Sequence, residues 1–338
     1  MKNVSSISAK KLLVYVITAI IFAIITYASY TIYQYKQMTK EWYQPISENI
    51  DASVQEADQP TPLLPPSFDS FSFSMKPEKA MKPFLLLLIG IDSRDGEKAR
   101  SDTMILTAVH PSDQRVYMLS IPRDTFMDLP GRGYDKVNHA MAYGGPALVK
   151  KSLEHFLNTK IDRYMTIDFD GFRKIVDELG GVEINVKKRM KYTDPTDDTY
   201  IDLQPGLQKL NGKQALDYAR YRKSDLGRED SDYERIVRQQ ELIKALAGKG
   251  DSAESFLKAF KLMDILGKHV KTDLTQQEIS SLLRTYYDPQ KNHIQTDTLT
   301  GTDERIWRNG IRGWYYLVPK AERLRIHDRL LQELAAKR

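Results

Sequence analysis

Apolar residues fall along this chain in three regimes. From Leu12 to Tyr33 the run LLVYVITAIIFAIITYASYTIY carries no charge, and its about 22 residues are enough for a helix to cross the ~30 Å hydrocarbon core of a bilayer. The stretch predicts a transmembrane helix. A cleaved signal peptide fits less well, because the run is too long, is Tyr-rich at its far end and ends in no small-x-small site. Over 34–82 the periodicity is lost. Pro45, Pro60, Pro62, Pro65, Pro66 and Pro77 punctuate a polar stretch there, which predicts an extended, poorly packed spacer. After Pro83 the apolar runs become short and dense. FLLLLIGID suits a strand buried on both faces, and Met104–Val109 and Val116–Ile121 read as its neighbours in one sheet.

Further along, Gly144, Gly145 and Pro146 predict a loop and then a helix carrying Leu148, Leu153, Phe156 and Leu157, with proline in the first turn where its missing donor costs nothing. Tyr164–Phe169 reads as a strand, Gly171–Leu179 as a helix closed by Gly180 and Gly181, and Val182–Val186 as another strand. Such alternation implies an α/β sandwich, with a mixed central sheet flanked by helices. Asn211 is placed to cap a helix through KQALDYARYR, and Asp230 or Asp232 to cap the next, to about Ala247. The remainder to Val318 reads as amphipathic helical stretches around Trp307 and Trp314–Tyr316. The chain thus divides into an N-terminus over 1–11, a transmembrane helix over 12–33, a spacer over 34–82, a globular domain over 83–320 and an amphipathic helix over 321–338.

Charge changes this picture in two places. Lys2, Lys10 and Lys11 precede the apolar run, which puts the short N-terminus in the cytoplasm and everything after Tyr33 outside the membrane; Lys36 and Lys40 soften the asymmetry. The net charge of +5 over 338 residues is modest. With no basic stripe interleaved with aromatics, it gives no reason to expect a nucleic-acid partner. The absence of cysteine removes disulfides, thiolate metal sites and a cysteine nucleophile, and leaves the compartment open.

The second place is a set of four charged clusters where such a fold puts strand ends and helix starts. Asp92 and Arg94 follow the first strand, and Arg100 and Asp102 precede the second. Carboxylates beside arginines can hold a hard cation through oxygen while the arginines bind the anion that it bridges. Arg123 and Asp124 follow the third strand, near the carboxyl-end crevice where open sheets bind ligands. Asp135, Lys136 and Asn138 add a cation and an amide. Arg220 and Arg222 end one helix, and Asp232, Arg235, Arg238 and Gln239 share a face of the next. Singly, each cluster is as readily a solvated surface. Together the last one leaves a net positive site suited to a dianion or pyrophosphate, which guanidinium forks clamp bidentately.

The segments GIDSR, RSDT, SIPRD, KVNHAMAYGG, LNGKQALDYARYR and DYERIVRQQ, in that order behind one apolar N-terminal run, resemble the LytR-CpsA-Psr family of cell-wall ligases. The resemblance implies a magnesium-dependent phosphotransferase outside the cell. It would move a glycopolymer such as wall teichoic acid from an undecaprenyl pyrophosphate carrier to an N-acetylmuramic acid hydroxyl of peptidoglycan. Matched by residue, it implies Asp92 and Asp102 as metal ligands. It implies Arg94, Arg123, Arg220, Arg222, Arg235 and Arg238 as pyrophosphate ligands, supported by Lys136 and Gln239. Asp124 or Asp232 would take the acceptor proton, with Arg123 beside them. It further implies a long apolar cavity for the lipid, with Leu148–Leu157 and Phe172–Leu179 as candidate lining. Hydrolysis of the lipid-linked pyrophosphate is an alternative that shares all these residues; a non-catalytic membrane regulator is another, for which the roughly ten cytoplasmic residues offer no DNA-binding element.

Overall fold

The computed structural model describes residues 30, 33, 42–46, 81–92, 100–196, 199–248, 262, 265–286, 292–308 and 310–335. The uncharged run of 12–33 lies outside them except for Tyr30 and Tyr33, and so do Arg94 and most of the spacer. Among the described residues no helix is long and apolar enough to cross a membrane.

Three strands arise where the apolar runs predict them: β1 (Phe84–Asp92), β2 (Arg100–His110) and β3 (Arg115–Ser120). They pair antiparallel in sequence order. β6 (Arg163–Asp168) lies parallel to β1, β12 (His293–Thr298) parallel to β3, and β11 (Val270–Thr272) antiparallel to β6. The result is a six-stranded mixed sheet in the order β11-β6-β1-β2-β3-β12. Because β1, β3, β6 and β12 all run the same way, their carboxyl ends meet at one end of the sheet. The charged clusters that follow them therefore meet there too.

One face of the sheet is closed by helix α1 (Val137–Leu157) and the C-terminal helix α6 (Lys320–Leu334). Leu85, Leu87, Leu106 and Leu119 of the sheet interlock there with Val149, Leu153, Ile326 and Leu330, all fully buried. At ~1.5–3 kcal/mol for each large aliphatic side chain removed from water, this is the main stabilising cluster. Leu148, Leu153 and Leu157 belong to it, so the expected Leu148–Leu157 stretch packs in the core and does not line the pocket, which α1 reaches only through Asn138 and His139. α1 also begins earlier than the Gly-Gly-Pro signal suggests, at Val137, and breaks at Gly144–Gly145. Gly145 has φ +62°, a conformation that costs glycine nothing, and Pro146 then opens the second segment.

The opposite face is covered unevenly. α2 (Phe169–Glu178), α3 (Gly212–Arg220) and α4 (Asp232–Ala247) pack with β7 (Val182–Val186), β8 (Met190–Asp194), β9 (Thr199–Leu203) and β10 (Gly206–Leu210) into a second core around Val176, Leu210, Tyr218 and Leu242. At the far end, Phe84, Leu86, Val109 and Leu274 form a third cluster beside α5 (Gln276–Thr285). The gap between these two clusters is the pocket described below. Asn211 caps α3 as predicted, whereas α4 is capped by Ser231 in a reciprocal pair with Glu234, not by Asp230 or Asp232. Asp230 is buried and committed to an ion pair, and Asp232 is the first residue of the helix.

Two segments depart from the sequence expectation. Trp307 and Trp314 sit on a β-hairpin of β13 (Thr302–Arg308) and β14 (Ile311–Leu317), rather than among helical stretches. Residues 42–46, expected within the spacer, dock on the sheet edge. Tyr43 bridges Thr272, Gln44 N donates to the Thr272 carbonyl at 2.8 Å, and Trp42 is 3% exposed. An edge strand with free backbone groups and an indole with nowhere else to hide explain the docking.

Candidate active site

Where the sheet's carboxyl ends meet α2, α3 and α4, a pocket of about 1110 Å³ opens, larger than most small-molecule sites. Its depth is apolar, lined by Leu88, Met165 and Ile167 of the sheet and by Phe172, Ile175, Leu216, Leu242 and Leu246 of the helices. Its mouth is charged. Asp92, Asp102, Arg123, Asp124, Lys136, Arg220, Arg222, Arg235 and Gln239 all line it, so nine residues singled out in the sequence come together.

Backbone geometry explains how they are aimed. Gly90 faces Thr103 and Ile91 faces Ser101 across β1 and β2, which leaves Asp102 as the extra residue of a β-bulge. A bulge re-aims the side chain it carries, and Asp102 thereby reaches Arg123 at 2.6 Å. On the adjacent strand end, Asp92 lies 3.9 Å from Arg220, whose guanidinium is 4.7 Å from the Phe169 ring centroid. Lys136 Nζ lies 2.8 Å from Asp124 and 5.3 Å from the Tyr315 ring centroid. On the first turn of α4, Arg235 lies 2.6 Å from Asp232. Gln240, the neighbour of Gln239, donates to Ser120 Oγ at 2.9 Å and to the Asp297 carbonyl at 3.1 Å, which ties α4 to the strand ends.

Burial opposes the charge of both central arginines, with opposite outcomes. Burial pulls the Arg235 pKa down and neighbouring Arg123 and Arg222 pull the same way, which Asp232 and Asp102 only partly offset. Burial opposes the charge of Arg123 as well, but Asp102, Asp232 and Asp124 together outweigh it and its pKa is raised. The Nε atoms of both Arg123 and Arg235 are buried without a hydrogen-bond partner. A desolvated N–H of this kind costs ~1–3 kcal/mol unless something accepts from it. Two of them beside one pocket call for an anion.

Arg238 is placed differently. It is 6% exposed, donates from Nε to the Tyr218 carbonyl at 2.9 Å and to the Tyr221 carbonyl, and pairs with Asp230 at 2.6 Å. Lys188 holds the same carboxylate. Arg238 therefore clamps α4 to the end of α3, and the structure does not bring it to the pocket. Its shared face with Arg235, legible in the helical spacing, fails because residues three apart diverge by about 60° when viewed down the axis, enough to separate mouth from interior. Sequence reasoning also missed Asp303 on β13. Its pKa is raised by burial and by Asp232 and Asp124, against Arg222. No local motif marks it, since the hairpin is brought to the site by long-range contacts, among them the Tyr316 N–H bond to the Asp124 carbonyl at 2.9 Å.

The sequence profile of the LytR_cpsA_psr family matches residues 31–332. The chain belongs to this family. Among its relatives, the polyisoprenyl-teichoic acid–peptidoglycan teichoic acid transferase TagU of Oceanobacillus iheyensis is 38% identical over 255 residues, covering 72% of this chain and 74% of that one. TagU of Bacillus subtilis is 36% identical over 69% of this chain and 72% of its own. Among solved structures, B. subtilis TagV superposes with a TM-score of 0.63 at 31% identity, over 76% of this chain and 99% of that one. TagT bound to LIIa-WTA superposes with a TM-score of 0.60 at 30% identity, over 75% and 92%. The LytR-CpsA-Psr fold thus accounts for the mixed sheet and the helices on both its faces.

Proposed function

We propose that the protein transfers an anionic glycopolymer, of the wall teichoic acid kind, from a polyprenyl pyrophosphate carrier to a hydroxyl of peptidoglycan. One observation carries the reading: two guanidiniums with buried, unsatisfied Nε donors, Arg123 and Arg235, meet at the charged mouth of an otherwise apolar pocket. A pyrophosphate bonded to a long hydrocarbon is the ligand class with both properties. The relatives' names, polyisoprenyl-linked on one side and peptidoglycan on the other, agree with it. The uncharged run of 12–33 would hold the domain at the outer face of the membrane, where such a carrier resides.

In this reading the prenyl chain occupies the apolar depth beside Phe172 and Ile175, and the pyrophosphate lies among Arg123, Arg220, Arg222 and Arg235. The acceptor hydroxyl attacks the phosphorus that bears the sugar, the bond to the bridging oxygen breaks, and prenyl phosphate leaves. Asp124 or Asp232 accepts the hydroxyl proton. Among the described residues no cluster of three or more histidines or carboxylates is arranged to hold a metal. Asp92 and Asp102 on adjacent strand ends still fit magnesium, which takes one or two carboxylates and completes its shell with phosphate oxygens and water. Bound there, the ion would neutralise charge on the leaving phosphate. Arg123 and Arg235 are preorganised for the same charge, and ordering such donors in advance lowers a phosphoryl-transfer barrier.

The test is to incubate the full-length chain in detergent with lipid-linked donor, magnesium and a peptidoglycan oligomer. A joined product supports the transferase. Free phosphorylated polymer without joined product would establish hydrolysis instead, and no turnover of either kind would leave the regulator.

A further inference from the structure

The β13–β14 hairpin borders the donor site through Trp314 and Tyr315, and the rest of its surface is unusual. Cross-strand partners in an antiparallel pair share a face. The pairs Trp307 with Arg312, Arg305 with Trp314, and Asp303 with Tyr316 therefore form three rungs on one side of the hairpin. Both tryptophans are far more exposed than their size warrants, 70% for Trp307 and 55% for Trp314. Arg305 lies 5.1 Å from the Trp314 ring centroid. Diagonal neighbours on such a face stand ~7–8 Å apart, so the two indoles are consecutive flat steps with a guanidinium beside each.

This face leads into the site. Trp314 lines the pocket mouth, and at the lowest rung Asp303 is close enough to Asp232 and Asp124 for their charges to raise its pKa beyond what burial does. An indole plane exposed to water binds the C–H face of a pyranose ring, and an arginine beside it binds a carboxylate. We infer that this hairpin face is the docking track for the acceptor glycan, a carboxylate-bearing saccharide strand. It delivers the hydroxyl to the carboxylates at its base.

The inference rests on the transferase reading, and it commits to the acceptor. The donor's sugar is tethered to a pyrophosphate that the inner arginines already hold, whereas the acceptor arrives untethered and needs a surface of its own. A lipid surface is the rival occupant. It is disfavoured because the track ends at Asp303 and leads on to Asp232 and Asp124, carboxylates that anionic headgroups avoid.

The chain has three tryptophans, and Trp42 is buried out of a ligand's reach, so a ligand-induced change in intrinsic fluorescence reports chiefly on this face. Titrating the full-length chain in detergent with an uncrosslinked peptidoglycan tetrasaccharide should change the emission, and Trp307→Ala should at least halve the change. In the transfer assay, Trp307→Ala should raise the acceptor KM about tenfold while the donor KM moves less than twofold. A raised donor KM with an unaltered acceptor KM would overturn the inference. So would emission that responds to anionic phospholipid vesicles and not to the tetrasaccharide. Because the titration needs no turnover, saccharide binding without any transfer would sink the transferase reading while leaving the track. Wild-type transfer with an unchanged acceptor KM in the variant would sink the track alone.

Discussion

Replacing Arg238 with methionine separates a structural brace from a phosphate ligand. The side chain makes two bonds to carbonyls at the end of α3 and one ion pair with the buried Asp230. Breaking a buried pair from one side costs about 3–5 kcal/mol. Asp230 keeps Lys188, which argues for the low end, about 3 kcal/mol, and methionine fills most of the vacated volume. For a domain of this size each kcal/mol moves Tm by ~2–4 °C, so the midpoint should fall by about 6–12 °C. Differential scanning calorimetry of the full-length chain in detergent measures it. Transfer assayed well below the new midpoint should stay within about threefold of wild type, because the pocket mouth keeps all its cations. An unchanged Tm with transfer abolished would refute the argument and return Arg238 to the pyrophosphate.

Three other expectations follow the same logic. Arg235→Met removes a buried cation held among other cations, so the variant should melt no lower than wild type while transfer falls at least about a hundredfold, the loss of one or two charge-assisted bonds; calorimetry and a donor-concentration series read the two effects. Asp102→Ala should leave the fold intact and raise the magnesium concentration needed for half-maximal transfer about tenfold or more, measured by titration from a chelated start. Burial raises the pKa of Asp297, but Arg325, Tyr117 and the Thr298 N–H outweigh it and hold it below its ordinary value. A carboxylate lowered in the fold stabilises above its unfolded pKa of about 3.9 and loses that contribution as pH falls through the lowered value. The Tm gap between wild type and Asp297→Asn should therefore be constant above about pH 5 and close toward pH 2, and a gap independent of pH would contradict it.

The first three strands and the convergence of charge at their ends were legible in the chain because each depends on local pattern: an apolar run, a breaker, then a charged pair. The capping of α3 by Asn211 belongs to the same class. Arg238 was misread because helical spacing assigns a face and not what the face meets, and here the end of α3 supplies carbonyls that no spacing rule contains. Asp303 left no signal, since its position depends on a hairpin held to Asp124 through the distant Tyr316. Trp42 was lost inside a proline-rich composition. A five-residue segment that docks through a single bridge at Tyr43 is too short for periodicity to outweigh its surroundings.

That docked segment bears on how far the domain would stand from a membrane anchor. Tyr43 runs parallel to β11, and β11 runs against β6, so Trp42 lies toward the end of the sheet where the pocket opens. If the run ending at Tyr33 sits in the bilayer, the eight positions 34–41 bound the reach from it to Trp42, at most roughly 29 Å for a fully extended chain. The proline-rich sequence beyond Ile46 then adds nothing to that reach. Shortening it should not lower the catalytic mouth toward the lipid, whereas lengthening 34–41 should lift the mouth away from a carrier that cannot follow.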